Sequence, residues 1–151
     1  MALQFSTGFK DDVLDTGSVK SVFDDGYIKV YAAAAIPATA DDALVGTTLL
    51  CTYSDNDQGI GAGQGLDLEA SASNGAIPKA SAQTWSGTAA ATGQGLFWRY
   101  EQSGDTGAAS TTEKRIQGTI GGSGADLIVQ STTYNASTLY TIDFFSLSIP
   151  G

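Results

Sequence analysis

The chain has no histidine, a single cysteine, only seven basic residues and no apolar run near the ~18–20 residues that cross a membrane. Each shortage excludes something. Without histidine, no Ser–His–Asp or Cys–His nucleophile device can be assembled, and the commonest metal ligand and pH switch are missing. With Cys51 alone, no disulfide forms within the chain, so folding does not depend on an oxidising compartment. Cys51 lies in the apolar run from Thr47 to Tyr53 and reads as a small buried hydrophobe. A reactive thiol would need a nearby base, and the sequence offers none.

The seven cations are scattered against sixteen acids, leaving a net charge of −9. Such a surface repels nucleic acid and anionic membrane, because binding phosphates takes Lys and Arg. The one adjacent pair, Lys114-Arg115, reads as a guard on a strand edge. Met1 to Phe5 lacks the basic start and apolar stretch of a signal peptide. The expectation is a soluble product made in a cytoplasm, with no nucleic-acid or membrane partner.

What remains is typical of a turn-rich β protein. Charged residues make up 15%, against a usual share of about 25%, and there are 19 glycines. At 151 residues the chain suits one domain, residues 1–151, and buries roughly 68–70% of its unfolded surface without staples.

The organising stretch runs from Trp85 to Leu127. It holds the aromatic run Phe97-Trp98-Arg99-Tyr100, then a polar loop, then Ile116, Gly118 and Ile120 alternating with Gln117 and Thr119. Alternation of this kind marks half-buried strands, here two core strands joined across a loop. Phe97, Trp98, Tyr100, Ile116, Ile120, Leu127, Phe144 and Leu147 are the expected core.

The remainder fits around that pair. Residues 7–22 form the one expected helix, with Thr7 as cap and Asp11 and Asp12 at its positive end. Phe9, Val13 and Leu14 give it an apolar face, and Gly17 weakens it. Tyr27 to Tyr31 alternates as a strand, Ala32 to Ala43 connects, and Thr47 to Tyr53 is a strand. Leu66 and Leu68 mark a short edge strand inside residues 56–79, a Gly- and Ala-rich insert expected to be mobile or ordered by a neighbouring subunit. Thr88 to Ala91 and Ala125 to Gln130 are short strands, and 131–138 is a loop. Leu139 to Ile149 reads as one long strand with mixed faces. The sum is an all-β fold, a β-sandwich of about eight short strands, jelly-roll-like, with one short N-terminal helix.

Motifs that could carry chemistry are weak. Gly121-Gly122-Ser123-Gly124-Ala125 misses the last glycine and the following helix of a nucleophile elbow. Gly59 to Gly65 fails the dinucleotide fingerprint at Gln64. Asp55-Asn56-Asp57-Gln58-Gly59 has alternate oxygen ligands but lacks the terminal glutamate of a calcium loop, so it reads as a turn. Asp24-Asp25 and Asp41-Asp42 read as turn and cap residues rather than a catalytic pair. Asn135-Ala136-Ser137 is a formal glycosylation sequon, idle without secretion. No catalytic residue, metal or cofactor is expected.

Several segments together resemble a family of small structural proteins of tailed bacteriophages. They are Leu3-Gln4-Phe5-Ser6-Thr7, Ile28-Lys29-Val30-Tyr31 with Pro37-Ala38-Thr39-Ala40-Asp41, and Gly46-Thr47-Thr48-Leu49-Leu50. Further on come Trp85-Ser86-Gly87-Thr88-Ala89, Phe97-Trp98-Arg99-Tyr100, Ile116 to Gly121 with Gly124 to Leu127, and Phe145 to Pro150. Residues 56–79 match least. The resemblance implies a non-enzymatic virion component, most like a head decoration (cement) protein on the capsid surface, made in the host bacterial cytoplasm. The implied partner is the major capsid protein, and oligomers at shell axes suggest a homotrimer. Tyr27, Tyr31, Tyr53, Leu66 and Leu68 are the expected interaction surface. A tail- or fibre-associated protein and a carbohydrate-binding β-sandwich module are the alternatives; buried Trp85 and Trp98 would count against the last.

Overall fold

The structure, a computed structural model, describes residues 2–15 and 17–148. The chain opens with β1 (Gln4–Phe5), α1 (Thr7–Asp15) and α2 (Val19–Phe23). Eleven more strands follow along the described residues: β2 (Tyr27–Ala32), β3 (Thr48–Asp55), β4 (Ala76–Pro78), β5 (Trp85–Thr88), β6 (Gly93–Gln94), β7 (Phe97–Glu101), β8 (Ile116–Gly121), β9 (Leu127–Ile128), β10 (Thr133–Tyr134), β11 (Leu139–Thr141) and β12 (Ser146–Ser148).

The N-terminal segment holds two short helices rather than one. Ser6, not Thr7, caps the first: its Oγ accepts from Phe9 N–H at 3.1 Å. Thr7 is already helical, and its N–H and hydroxyl both donate to the Asp41 carboxylate, at 2.8 and 2.6 Å. Asp11 and Asp12 lie beyond the first turn, away from the dipole's positive end. The second helix restarts with a capping box between Ser18 and Ser21.

Eight strands form one sheet in the order β1-β8-β7-β2-β3-β5-β11, with β9 beside β8 in parallel and the other pairs antiparallel. Two small pairs, β6–β10 and β4–β12, stand apart from it. The fold is all-β and sandwich-like with a short helical start. The expected central pair is there: β7 and β8 run antiparallel, with Trp98 opposite Gly118 and Arg99 opposite Gln117. Glycine at 118 is required, because a Cβ there would lie 2.9 Å from Trp98 Nε1. Gly87 is as constrained, with Thr52 O 2.2 Å from where its Cβ would be.

Ile28, Val30, Trp98, Tyr100 and Ile116 point to one face and pack under α2 and the C-terminal arm. Phe23 stacks on Tyr100 at 4.4 Å between ring centres and meets Phe145 at 5.7 Å. Phe145 also touches Trp85 at 5.2 Å and Trp98 edge-on at 5.8 Å. Phe97, Trp98, Tyr100, Ile116, Ile120, Leu127 and Leu147 are all buried. Phe144 is a correction: it is 70% exposed, and Phe145 is the buried neighbour. The expected single strand from Leu139 is broken. The chain bends over residues 142–145, so the inward positions become Ile142, Phe145 and Leu147. Ile149 lies outside the described residues.

Smaller departures follow from pairing that is not local. The β5 strand covers Trp85–Thr88 rather than residues 88–91, and the loop at 131–138 contains β10, which pairs with β6. Residues 64–69 of the insert find partners within the chain: Leu66 exchanges main-chain bonds with Gly26 and Asp25, and Leu68 N–H donates to Asp24. These bonds need no neighbouring subunit.

Candidate interaction surfaces

The second face of the sheet is buried as well, and it is polar. Strand β7 alternates Phe97, Arg99 and Glu101 onto this face, and all five of its residues are buried. The register sets Lys29, Arg99, Gln117 and Gln4 in a row across four strands. Loops 33–47 and 102–115 fold over this row and supply its partners. Lys29 Nζ donates to Glu101 Oε2 at 2.6 Å, and the Tyr31 hydroxyl donates to Glu101 Oε1 at 3.2 Å. Arg99 donates to Gln117 Oε1 and Asp42 O, while Gln117 Nε2 donates to Gln4 Oε1 and Pro37 O. Arg115 Nε and Nη2 grip Asp105 at 2.6 and 2.7 Å, and Nη2 also donates to Ala108 O. A charge taken out of water needs a partner and satisfied hydrogen bonds: Lys29 and Arg115 have a carboxylate each, and Arg99 is held by the neutral oxygens of Gln117 and Asp42.

These contacts shift the groups involved. Burial pushes the Asp105 carboxyl up, but the Arg115 guanidinium and the Gly107 N–H outweigh it and hold it below the usual range. Burial opposes the Arg115 charge, and Asp105 more than restores it. Burial and the nearby Arg115 charge lower Arg99. The Asp105 shift makes the fold acid-sensitive: a carboxyl depressed in the folded state stabilises above its unfolded pKa of about 3.9 and loses that contribution as pH falls through the folded value. Burial raises Asp67, so its protonation on the way down from neutral favours the fold. The urea midpoint should therefore rise slightly toward mildly acidic pH and fall below about pH 4. A midpoint that keeps rising through that range would contradict the assigned Arg115–Asp105 pair.

The expected interaction residues are corrected by burial. Tyr27 and Leu66 are 0% exposed, Tyr53 1%, Leu68 2% and Tyr31 5%. Tyr31 stacks on Phe97 at 5.3 Å, and the Tyr27 hydroxyl donates to Gly61 O. The Tyr53 and Tyr134 hydroxyls bond at 2.9 Å. The sequence could not expose this, because strands that are covered on both faces alternate between two interiors rather than between core and solvent. The Lys114-Arg115 pair is not an edge guard either: Arg115 is fully buried, and Lys114 pairs with Asp12 at 2.5 Å.

The acidic clusters are structural. Asp57 accepts from Thr88 N–H and hydroxyl, and Asp55 from Thr84 N–H. Asp42 accepts from Thr39, and Asp25 from Gly65 N–H. Among the described residues, no group of three or more His, Cys, Asp or Glu is placed to hold a metal. Burial pushes the Cys51 thiol up to about 12. Cys51 should therefore resist iodoacetamide at pH 8 in the folded protein and react in denaturant. Labelling at equal rates in both states would contradict its burial.

Two surface regions with exposed apolar side chains stand out among the described residues. One is an apolar groove of about 420 Å³ under the helices, lined by Phe5, Val19, Ala72, Ile77 and Leu147. A second hollow of about 260 Å³ shares Phe5 and Val19 and extends along Phe9, Val13 and the exposed Leu14. The other region follows the outer edge of β11, where two hollows of about 230 and 160 Å³ share Val129, Gln130 and Thr141. Leu139, Phe144 and Ile128 are exposed along it. No helix among the described residues is long and apolar enough to cross a membrane. Set against known proteins, the chain matched no family model, no curated sequence and no solved structure.

Proposed function

We propose that this chain is a non-enzymatic structural protein of a tailed-bacteriophage virion, a decoration protein that binds the outer surface of the head and braces neighbouring capsomers. The observation that carries the reading is how its polar groups are used. The buried charged side chains of the polar layer are bound inside the fold: Glu101 by Lys29 and Tyr31, Arg99 by Gln117, and Arg115 by Asp105. Among the hollows left on an otherwise acidic surface, those beside α1 and α2 are shallow and apolar. Shallow apolar contact repeated over a shell binds by avidity and needs no deep pocket. The sequence resemblance supplies the identity of the shell, with the major capsid protein as partner.

The carbohydrate-binding alternative loses its main support. Trp85 and Trp98 are fully buried and cannot form a sugar platform. The test is co-sedimentation of the purified chain with undecorated, expanded capsids. Saturable binding at a fixed ratio to the major capsid protein is expected. Binding to isolated tails and to no capsid form would replace decoration with the tail-associated reading.

A further inference from the structure

We propose that the outer edge of β11 pairs antiparallel with the same edge of a second copy of this chain. β11 is the last strand of the eight-stranded sheet. Its inner edge is satisfied: Tyr140 lies opposite Gly87, and Ile142 N–H donates to Trp85 O at 2.9 Å. Main-chain groups alternate between the two edges of a strand, so those of Leu139 and Thr141 point outward. Natural edges are protected by lysine, proline, a bulge, a covering loop or shortness. At three residues β11 is short, but Leu139-Tyr140-Thr141 has no lysine or proline, its pairing with β5 is regular, and residues 129–131 stand beside it with hollows between rather than as a paired strand.

The charge distribution selects the occupant. Two copies of a chain with net charge −9 repel each other across most of their surfaces. After Arg115 the only charged residues are Asp126 and Asp143. Asp126 is bound by Thr119, and Asp143 accepts from Gln130 Nε2 and Thr141 Oγ1. The strand beside β11 belongs to residues 80–98, which carry no charge at all. This end of the sheet is thus where like-charged copies meet at least cost. It also presents Leu139, Phe144 and Ile128, at 57%, 70% and 41% exposure.

Pairing centred on Tyr140 sets Leu139 opposite Thr141 of the partner subunit, and the reverse. Such an isologous contact closes at two copies and joins the two sheets into one. The free species is then a dimer, not the trimer that shell symmetry suggests. The proposal is independent of the capsid reading, because it concerns the free protein and its test contains no capsid.

Sedimentation velocity of the full chain over a range of concentrations tests it. The expected mass is twice 15.4 kDa for the unaltered protein and 15.4 kDa for Leu139→Lys and for Phe144→Lys. Val45→Lys, at a site 80% exposed in a connector remote in sequence from β11, should leave the dimer intact. Near-UV circular dichroism from the buried tryptophans checks that each variant is folded. In the unaltered protein, the amides of Leu139 and Thr141 should gain hydrogen-exchange protection as concentration rises. A monomer at every concentration, a trimer, or a dimer unaffected by both lysine variants would overturn the proposal.

Discussion

Asp105→Asn should destabilise the fold by about 3–5 kcal/mol, because it removes the counter-charge from a guanidinium that cannot reach water. The Asp105 and Arg115 side chains are 0% and 1% exposed, and two hydrogen bonds join them. Asparagine keeps the shape and one acceptor but not the charge. Arg115 would remain buried beside Arg99, whose positive charge already opposes it. The double variant Asp105→Leu with Arg115→Met should cost less than Asp105→Asn, since two apolar side chains leave no orphaned charge. Urea unfolding of the single and double variants measures this. A loss within about 1 kcal/mol for Asp105→Asn would mean that water reaches the pair and that the covering loops do not seal it.

Phe145→Ala should cost about 3–5 kcal/mol, whereas Phe144→Ala should stay within about 0.5 kcal/mol. The two phenylalanines are adjacent and alike in chemistry, so the difference isolates burial. Phe145 is 4% exposed and contacts Phe23, Trp85 and Trp98. Removing its ring opens a cavity among Trp85 and Trp98 of the sheet and Phe23 of α2, which are packed on other neighbours and close it only in part. Phe144 is 70% exposed, so truncating it opens no cavity. Because Phe144 belongs to the proposed pairing edge, its stability must be read below the concentration at which copies associate. Equal losses at the two positions would mean that the bend over residues 142–145 is misplaced.

The bend also shows how far a sequence pattern carries. Alternation between Leu139 and Ile149 is a local property, and a period of two continues only while the strand stays straight. One break in phase moves each later residue to the other face, and nothing in Thr141 to Phe145 marks the break. The helix was legible as a region but not as two pieces. Its cap was misplaced because Thr7 is tied to Asp41, thirty-four residues away. The interaction surface failed for another reason. Tyr27 and Tyr31 alternate with Ile28 and Val30, as residues on a solvent face do, and nothing local says that Gly61 of the insert will meet Tyr27 or that Phe97 and Glu101 will meet Tyr31.

The sequence by itself determined the elements whose signals are local. Phe97 to Tyr100 and Ile116 to Ile120 specify two strands by periodicity. The absence of histidine removes whole classes of chemistry, and Cys51 in an apolar run is bound for the interior. Tertiary structure alone decided which face of the sheet is apolar and which is polar. It joined Arg115 to Asp105 and Lys29 to Glu101, and it left β11 at the open edge of the sheet. The physical reason is that strand pairing and ion pairing join residues distant in the chain. A buried charge and a solvated one look the same in sequence until the loops that cover them are in place.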